Sequence, residues 1–232
     1  MPEFLQKLIR SFEIAVIDDN RWKMYLEGIG NTLAITAVAT LIGIFIGMVV
    51  AIVKVAAVKN RRLRPLESLC DLYLTVIRGT PVVVQLLILY TVVFASMRNS
   101  VPVAMIGFGI NSGAYVAEIF RSGIQSIELG QTEAGRSLGL TQGATMRFII
   151  LPQAIKNILP ALFNEFIVLL KETSVVGYIA VRDLTKVADG IKGSTFEPMP
   201  LYVAALVYLV MVIGLTQVQK RLERRLSAGD RR

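Results

Sequence analysis

Three carboxylates, Glu118, Glu165 and Glu172, stand in stretches that are otherwise apolar. Groups of this kind could work as general acid and base, and Glu165 in particular suggests an acceptor for an amino or cationic group. The rest of an enzyme's equipment is missing. The chain has no histidine and one cysteine, Cys70, which excludes Ser-His-Asp triads, histidine metal sites and an internal disulfide. Cys70 reads as a small apolar packing residue. Isolated charge in hydrocarbon is costly, so these carboxylates should face a bundle interior or a polar cavity.

Other polar groups lie at similar depth. Asn111, Ser112, Tyr115, Asn164 and Glu165 fall near the middle of apolar runs, and Arg78 and Thr80 flank Gly79 and Pro81 at a helix break. Together they form a candidate substrate path. Arg78 serves either as a ligand contact or as a donor to backbone carbonyls freed by the break. Glu118 and Arg121, three residues apart, are placed to pair on one helical face.

The elements that must position these groups are membrane spans. The chain of 232 residues is 54% hydrophobic with a mean hydropathy of +0.60, and runs of about 20 apolar residues suffice to cross a bilayer. The expected class is all-α, with five spans near 31–58, 66–96, 101–124, 154–176 and 201–218. Residues 1–26 form an amphipathic segment on the membrane lipid, with Phe4, Leu5, Leu8, Ile9 and Phe12 at helical spacing, and Asp18, Asp19 and Asn20 break it. Residues 27–222 make the transmembrane domain and 223–232 a basic tail. Gly43 and Gly47 let a neighbouring helix approach closely, and Lys54 is placed to snorkel to the headgroups. In the second segment Thr80 is expected to cap and Pro81 to begin a helix of about 16 residues.

The net charge of +8 does not point to nucleic acid. Four basic residues fall between Lys59 and Pro65 and six between Lys220 and Arg232, both beside apolar spans, as cytoplasmic loops do. No aromatic groove accompanies them. Five crossings put the N-terminus outside and the C-terminus in the cytoplasm, with both basic clusters on one side and the polar loop 177–200 on the other.

The stretch Gln131–Pro152 interrupts the hydrophobicity on the basic side. It reads as a short helix, a stop at Gly139 in the left-handed conformation, and a second short helix capped by Thr141 and running into Pro152. Glu133 is expected in the first turn, where the helix dipole favours a carboxylate. Such a knob between spans is a docking surface. The chain lacks a G-x-x-x-x-G-K-[ST] loop for ATP, five helices are few for a secondary transporter, and a pore would need a second subunit.

Glu133-Ala134-Gly135, Gly139, Ile149, Leu151 and Pro152 resemble the EAA loop, E-A-A-x3-G-x9-I-x-L-P, of permease subunits in bacterial ATP-binding-cassette importers, with Gly135 in place of the second alanine. Leu26–Leu33, Arg78–Pro81, Ala114–Arg121 and Leu170–Ser174 look like the polar amino acid uptake branch, which includes histidine and glutamine permeases. The resemblance covers about Leu26 to Leu222. It implies a type I importer fold in the inner membrane and a second permease subunit, identical or homologous. It also implies a cytoplasmic ATPase dimer that binds ATP and Mg, an external solute-binding protein, and an amino acid as substrate. No cofactor is expected in this chain. The family's coupling residues map onto Glu133, Ala134, Gly135, Gly139, Leu140, Thr141, Ile149, Leu151 and Pro152. Small Ala134 and Gly135 would permit close approach, Gly139 would make the turn, and Pro152 would start the connection to the fourth span. An intramembrane enzyme and a non-transporting scaffold are the competing readings.

Overall fold

A computed structural model describes residues 3–228; the ends of the N-terminal segment and of the basic tail lie outside the described residues. Among the described residues the chain is helical, with turns and no strand. The amphipathic segment is α1, Glu3–Phe12, followed by one π-helical turn. Asp19 and Asn20 then adopt φ of 53° and 55°, left-handed values that asparagine and aspartate tolerate, and the chain turns into α2, Arg21–Lys59. Arg21 secures the corner, donating to the Ile14 carbonyl and to Asp19 Oδ2 at 2.8 Å.

The second apolar segment is bent. Helix α3, Arg64–Gly79, meets the pair α4, Val82–Ile88, and a π turn, Leu89–Val93, at 107°. Asp71, midway along α3, pairs with Lys54 near the end of α2, while Leu86 on α4 is buried with Ile35 and Ala39 of the middle of α2. Two expectations change here. Thr80 does not cap the second helix: its hydroxyl donates backward to the Val76 carbonyl at 2.8 Å, and extended Pro81 occupies the cap position. The second helix stops at Val93, before an irregular stretch. Lys54 pairs with Asp71.

Helix α5, Val101–Gln125, is the central span and packs along α2. Their contact is lined by small residues. A Cβ on Gly43 would stand 2.9 Å from the Ser112 side chain, and one on Gly47 would stand 2.6 Å from Val116 Cγ1. Backbones this close exclude any larger side chain, so the glycine pair packs within the chain. The helices α6, Leu129–Ser137, and α7, Gln142–Thr145, form the knob. A π turn at Met146–Ile150 leads directly into α8, Leu151–Glu172, and a 3-10 stretch, Thr173–Ile179.

The second half of the knob is therefore the foot of the fourth span. Pro152 lies within the first turn of α8, where a missing N–H costs little, so it marks no boundary. Beyond Ile179 come α9, Leu184–Thr195, and α10, Met199–Ala228. Among the described residues four helical stretches are long and apolar enough to cross a membrane, with a fifth when the bent pair is taken as one span. One buried cluster joins Ile35, Leu86, Phe108, Leu169 and Ile179; another joins Tyr25, Leu184, Ile191 and Ala204 under α9.

Candidate functional site

The knob is built by a helix that must stop and restart within four residues. At the end of α6 the Gly139 amide donates to the Arg136 carbonyl at 3.0 Å and the Leu140 amide to the Gly135 carbonyl at 3.2 Å. Gly139 has φ of 83°. This paired pattern with a left-handed residue just past the helix satisfies carbonyls that would otherwise be orphaned, and it favours glycine. Thr141 restarts the chain in an extended conformation, its hydroxyl accepting from the Ala144 amide at 3.3 Å. Both expectations hold.

Two halves folded on each other need a thin point of contact, and Gly135 supplies it. A Cβ there would lie 2.8 Å from both Ile149 Cδ1 and Thr145 Cγ2. Gly135 thus closes the knob internally, while neighbouring Ala134 is exposed. Glu133 is placed differently from expectation. Because α6 begins at Leu129, after extended Glu128, Glu133 falls in the second turn, away from the unpaired amides at the helix start. Its side chain is exposed and takes part in no ion pair among the described residues.

The outward face of the knob carries residues that the motif does not name. Leu138 is 81% exposed, Leu129 80% and Phe148 67%. Leu151 is exposed at 36%, whereas Leu140 and Ile149 are half-buried. Large apolar side chains this exposed offer surface to a partner. Their signal in the sequence was plain: they are bulky apolar residues in a segment too polar to be a span.

Apart from Asn164, the candidate path residues fall into two clusters. In the first, Ser112 donates to Glu165 Oε1 at 2.9 Å, tying α5 to α8, and Asn111 donates to Gln85 Oε1 at 3.1 Å. Gln85 Nε2 in turn reaches the Ile77 carbonyl at 2.8 Å, the Thr80 hydroxyl at 2.8 Å and the Thr80 carbonyl at 3.1 Å. Gln85, missing from the sequence candidates, is thus the staple across the helix break. It was visible as the one polar residue of α4. Asn111 and Ser112 are buried in the packing of α5, whereas Asn164 is exposed on a different side of α8 from buried Ile158 and half-buried Glu165.

The second cluster lies where the end of α3 meets α5. Arg121 donates through Nε and Nη2 to both oxygens of Glu118, with the Nε contact at 3.0 Å. Arg78 approaches the same carboxylate at 3.9 Å and stacks 5.7 Å from the Tyr115 ring centre, a cation–π distance. The Arg78 guanidinium does not hydrogen-bond the carbonyls of the break, a role that Gln85 fills. Tyr115 is 39% exposed. A cleft of about 200 Å³ beside the cluster is lined by Lys54, Leu74, Glu118 and Arg121.

At the opposite end a buried polar network fixes α9. Asp183 caps the helix, accepting from the amides of Thr185 at 2.9 Å and Lys186 at 3.0 Å and from the Tyr208 hydroxyl at 3.4 Å. The Thr32 hydroxyl accepts from the Leu184 amide at 3.3 Å, and Asn31 donates to the Arg182 carbonyl at 2.9 Å. Burial pushes the Asp183 carboxyl above its ordinary value, and the hydrogen bonds it accepts oppose that shift.

A five-span bundle with a bent second span and a knob continuous with the fourth defines an integral-membrane permease domain of the type I importer class. Residues 39–228 match the family described as binding-protein-dependent transport system inner membrane component, and the chain belongs to this family. It is 38% identical over 209 residues to the arginine transport system permease protein ArtQ of Bacillus subtilis, covering 88% of this chain and 93% of that one. It is also 38% identical over 208 residues to a putative glutamine transport system permease protein of Rickettsia felis, covering 87% and 92%. The crystal structure of an amino acid ABC transporter with histidines superposes with a TM-score of 0.81 at 42% identity, over 88% of this chain and 94% of that one. An inward-facing form of the MetNI methionine ABC transporter gives a TM-score of 0.77 at 18% identity, over 90% and 99%, a likeness of fold.

Proposed function

We propose that the chain is the permease subunit of an ATP-driven amino acid importer, lining the translocation path and turning ATPase closure into outward opening. The observation that carries this reading is the knob: the left-handed turn at Gly139 joins two short helical pieces on which Leu129, Leu138 and Phe148 stand exposed. A cytoplasmic ATPase dimer, which holds ATP and Mg, docks on that face. The names of the relatives, permeases for arginine and for glutamine, support an amino acid as cargo.

The orientation follows from charge. The knob and the Lys59–Pro65 and Lys220–Arg232 clusters lie on the cytoplasmic side, and α9 faces outside toward a solute-binding protein. A second permease subunit, identical or homologous, completes the pore. Along the path, Glu165 accepts from the ammonium or side-chain cation of the cargo, and Arg78, stacked on Tyr115, receives its carboxylate. Asn111, Ser112 and Thr80 hold the walls of that path through the Gln85 and Glu165 hydrogen bonds, and Asn164 faces the second subunit.

The test is reconstitution with the ATPase and the binding protein in vesicles, followed by uptake of radiolabelled amino acids. Uptake should require ATP and the binding protein, and Glu165→Gln should lower it. Failure of the chain to co-purify with an ATPase, or uptake indifferent to ATP, overturns the reading.

A further inference from the structure

Helix α1 splits cleanly into two faces. At 100° per residue, Phe4, Leu8, Phe12, Leu5 and Ile9 occupy one arc, and Gln6, Arg10, Glu3, Lys7 and Ser11 occupy the opposite one. All five apolar side chains are exposed, from 41% for Leu5 to 72% for Phe4. On the polar arc Lys7 pairs with Glu3 at 3.7 Å, and Ser11 donates to Glu197 at 3.1 Å. That last bond ties α1 to the entry of α10, the least buried of the apolar spans within the chain. Beside the tie stands Phe196, 92% exposed with φ of 57°, at the position past α9 where glycine is usual. Tyr202, one turn into α10, is 68% exposed.

We propose that α1 and Phe196 form one seat in the lipid headgroup interface at the α9 end of the bundle. Two observations select lipid as the occupant. The apolar arc continues, through the Ser11–Glu197 contact, the exposed apolar surface of α10 (Leu206, Leu209, Val210 and Ile213), and the polar arc carries the Lys7–Glu3 pair and the bond back to the protein. Aromatic rings at the mouth of a span sit at headgroup depth, and an apolar arc of this width buries in the acyl boundary. The seat fixes how deeply α10 enters the membrane, and it does so independently of what the protein transports.

Trp22 is the one tryptophan of the chain. The full-length chain carrying Trp22→Phe, with a single new tryptophan at position 8, 196 or 6, is reconstituted in phosphatidylcholine–phosphatidylglycerol vesicles. The acyl chains are brominated close to the headgroup. Leu8→Trp and Phe196→Trp should emit to the blue and be quenched by the brominated lipid, whereas Gln6→Trp should emit as in water and escape quenching. Blue emission without quenching at position 8 or 196 means that protein covers the seat, and it overturns the proposal. Water-like emission at either position, or equal quenching at all three, does the same.

Discussion

Gly135 and Ile149 meet across the knob so closely that a Cβ on the glycine would lie 2.8 Å from Cδ1 of the isoleucine. The neighbours that must give way are the ends of side chains, so one methyl group is absorbed by small shifts. Gly135→Ala should therefore keep the knob folded and transport nearly intact. Gly135→Leu overpacks the contact at about 1–3 kcal/mol and should separate the two halves. Co-purification with the ATPase measures the difference; equal retention by both variants would contradict the packing described.

Gly139 has open space around its missing Cβ, so a substitution there meets only backbone strain. At φ of 83° a non-glycine residue costs roughly 1–2 kcal/mol. Gly139→Val should leave the protein inserted in the membrane while separating ATP hydrolysis from uptake. Gly139→Asn and Gly139→Asp, which tolerate left-handed geometry better, should retain more coupling than Gly139→Val. Normal binding-protein-stimulated uptake by Gly139→Val in vesicles counts against this.

Leu138 and Phe148 touch little of their own chain, so removing their apolar surface should leave the fold untouched. The double variant Leu138→Ser, Phe148→Ser should unfold at the wild-type temperature in detergent yet lose the ATPase. Each exposed side chain of this kind is worth about 1.5–3 kcal/mol when fully buried, so the pair should weaken docking by at least tenfold. A lowered unfolding temperature with unchanged docking would place these residues in the core instead.

Gln85 closes the helix break by bonding the Ile77 and Thr80 carbonyls and the Thr80 hydroxyl. Gln85→Leu keeps the bulk and removes the bonds, and should destabilise the protein by about 1–3 kcal/mol. Proteolysis or hydrogen exchange should localise the loosening to residues 77–85. Thr80→Val removes one of these partners and should cost less.

Asp183 binds its proton more tightly in the fold than in the unfolded chain, because burial raises its pKa. Its contribution to stability is therefore fully present below the ordinary carboxylate pKa and is lost as pH rises through the raised one. Asp183→Asn preserves an acceptor for the α9 cap and removes the titration, so its unfolding temperature should vary less across that acidic window. Asp183→Ala loses the cap as well as the titration and should be less stable than Asp183→Asn by about 1 kcal/mol.

What the sequence made legible were the features that a residue's own chemistry imposes. Asp18–Asn20 had to turn, Gly139 had to be left-handed, Gly43 and Gly47 had to be thin, and a proline after Thr80 had to interrupt a helix. Features decided by distant partners were hidden. Thr80 serves Val76 and Gln85 rather than a cap because Pro81 already holds the extended position. Glu133 lies in the second turn because Glu128, five residues earlier, ends the preceding turn. Pro152 looked like a boundary, but a proline in the first turn of a helix is compatible with a break before it or with none. Ser112 and Glu165, far apart in sequence, met only once α5 and α8 were packed.

Because α7, the π turn and α8 run on as one helical stretch, with Pro160 midway along it, the knob is the short arm of a lever. From Gln142 to Glu172 the rise is roughly 45 Å at 1.5 Å per residue. A tilt of about 5° at the foot displaces the far end by about 4 Å over that length, comparable to the width of a side chain. The far end is where Leu169, Val176 and Ile179 lie against α4 and α5, and the Glu165–Ser112 bond sits along the shaft. A force applied at the knob's face therefore needs no relay of loops to be felt at the opposite mouth.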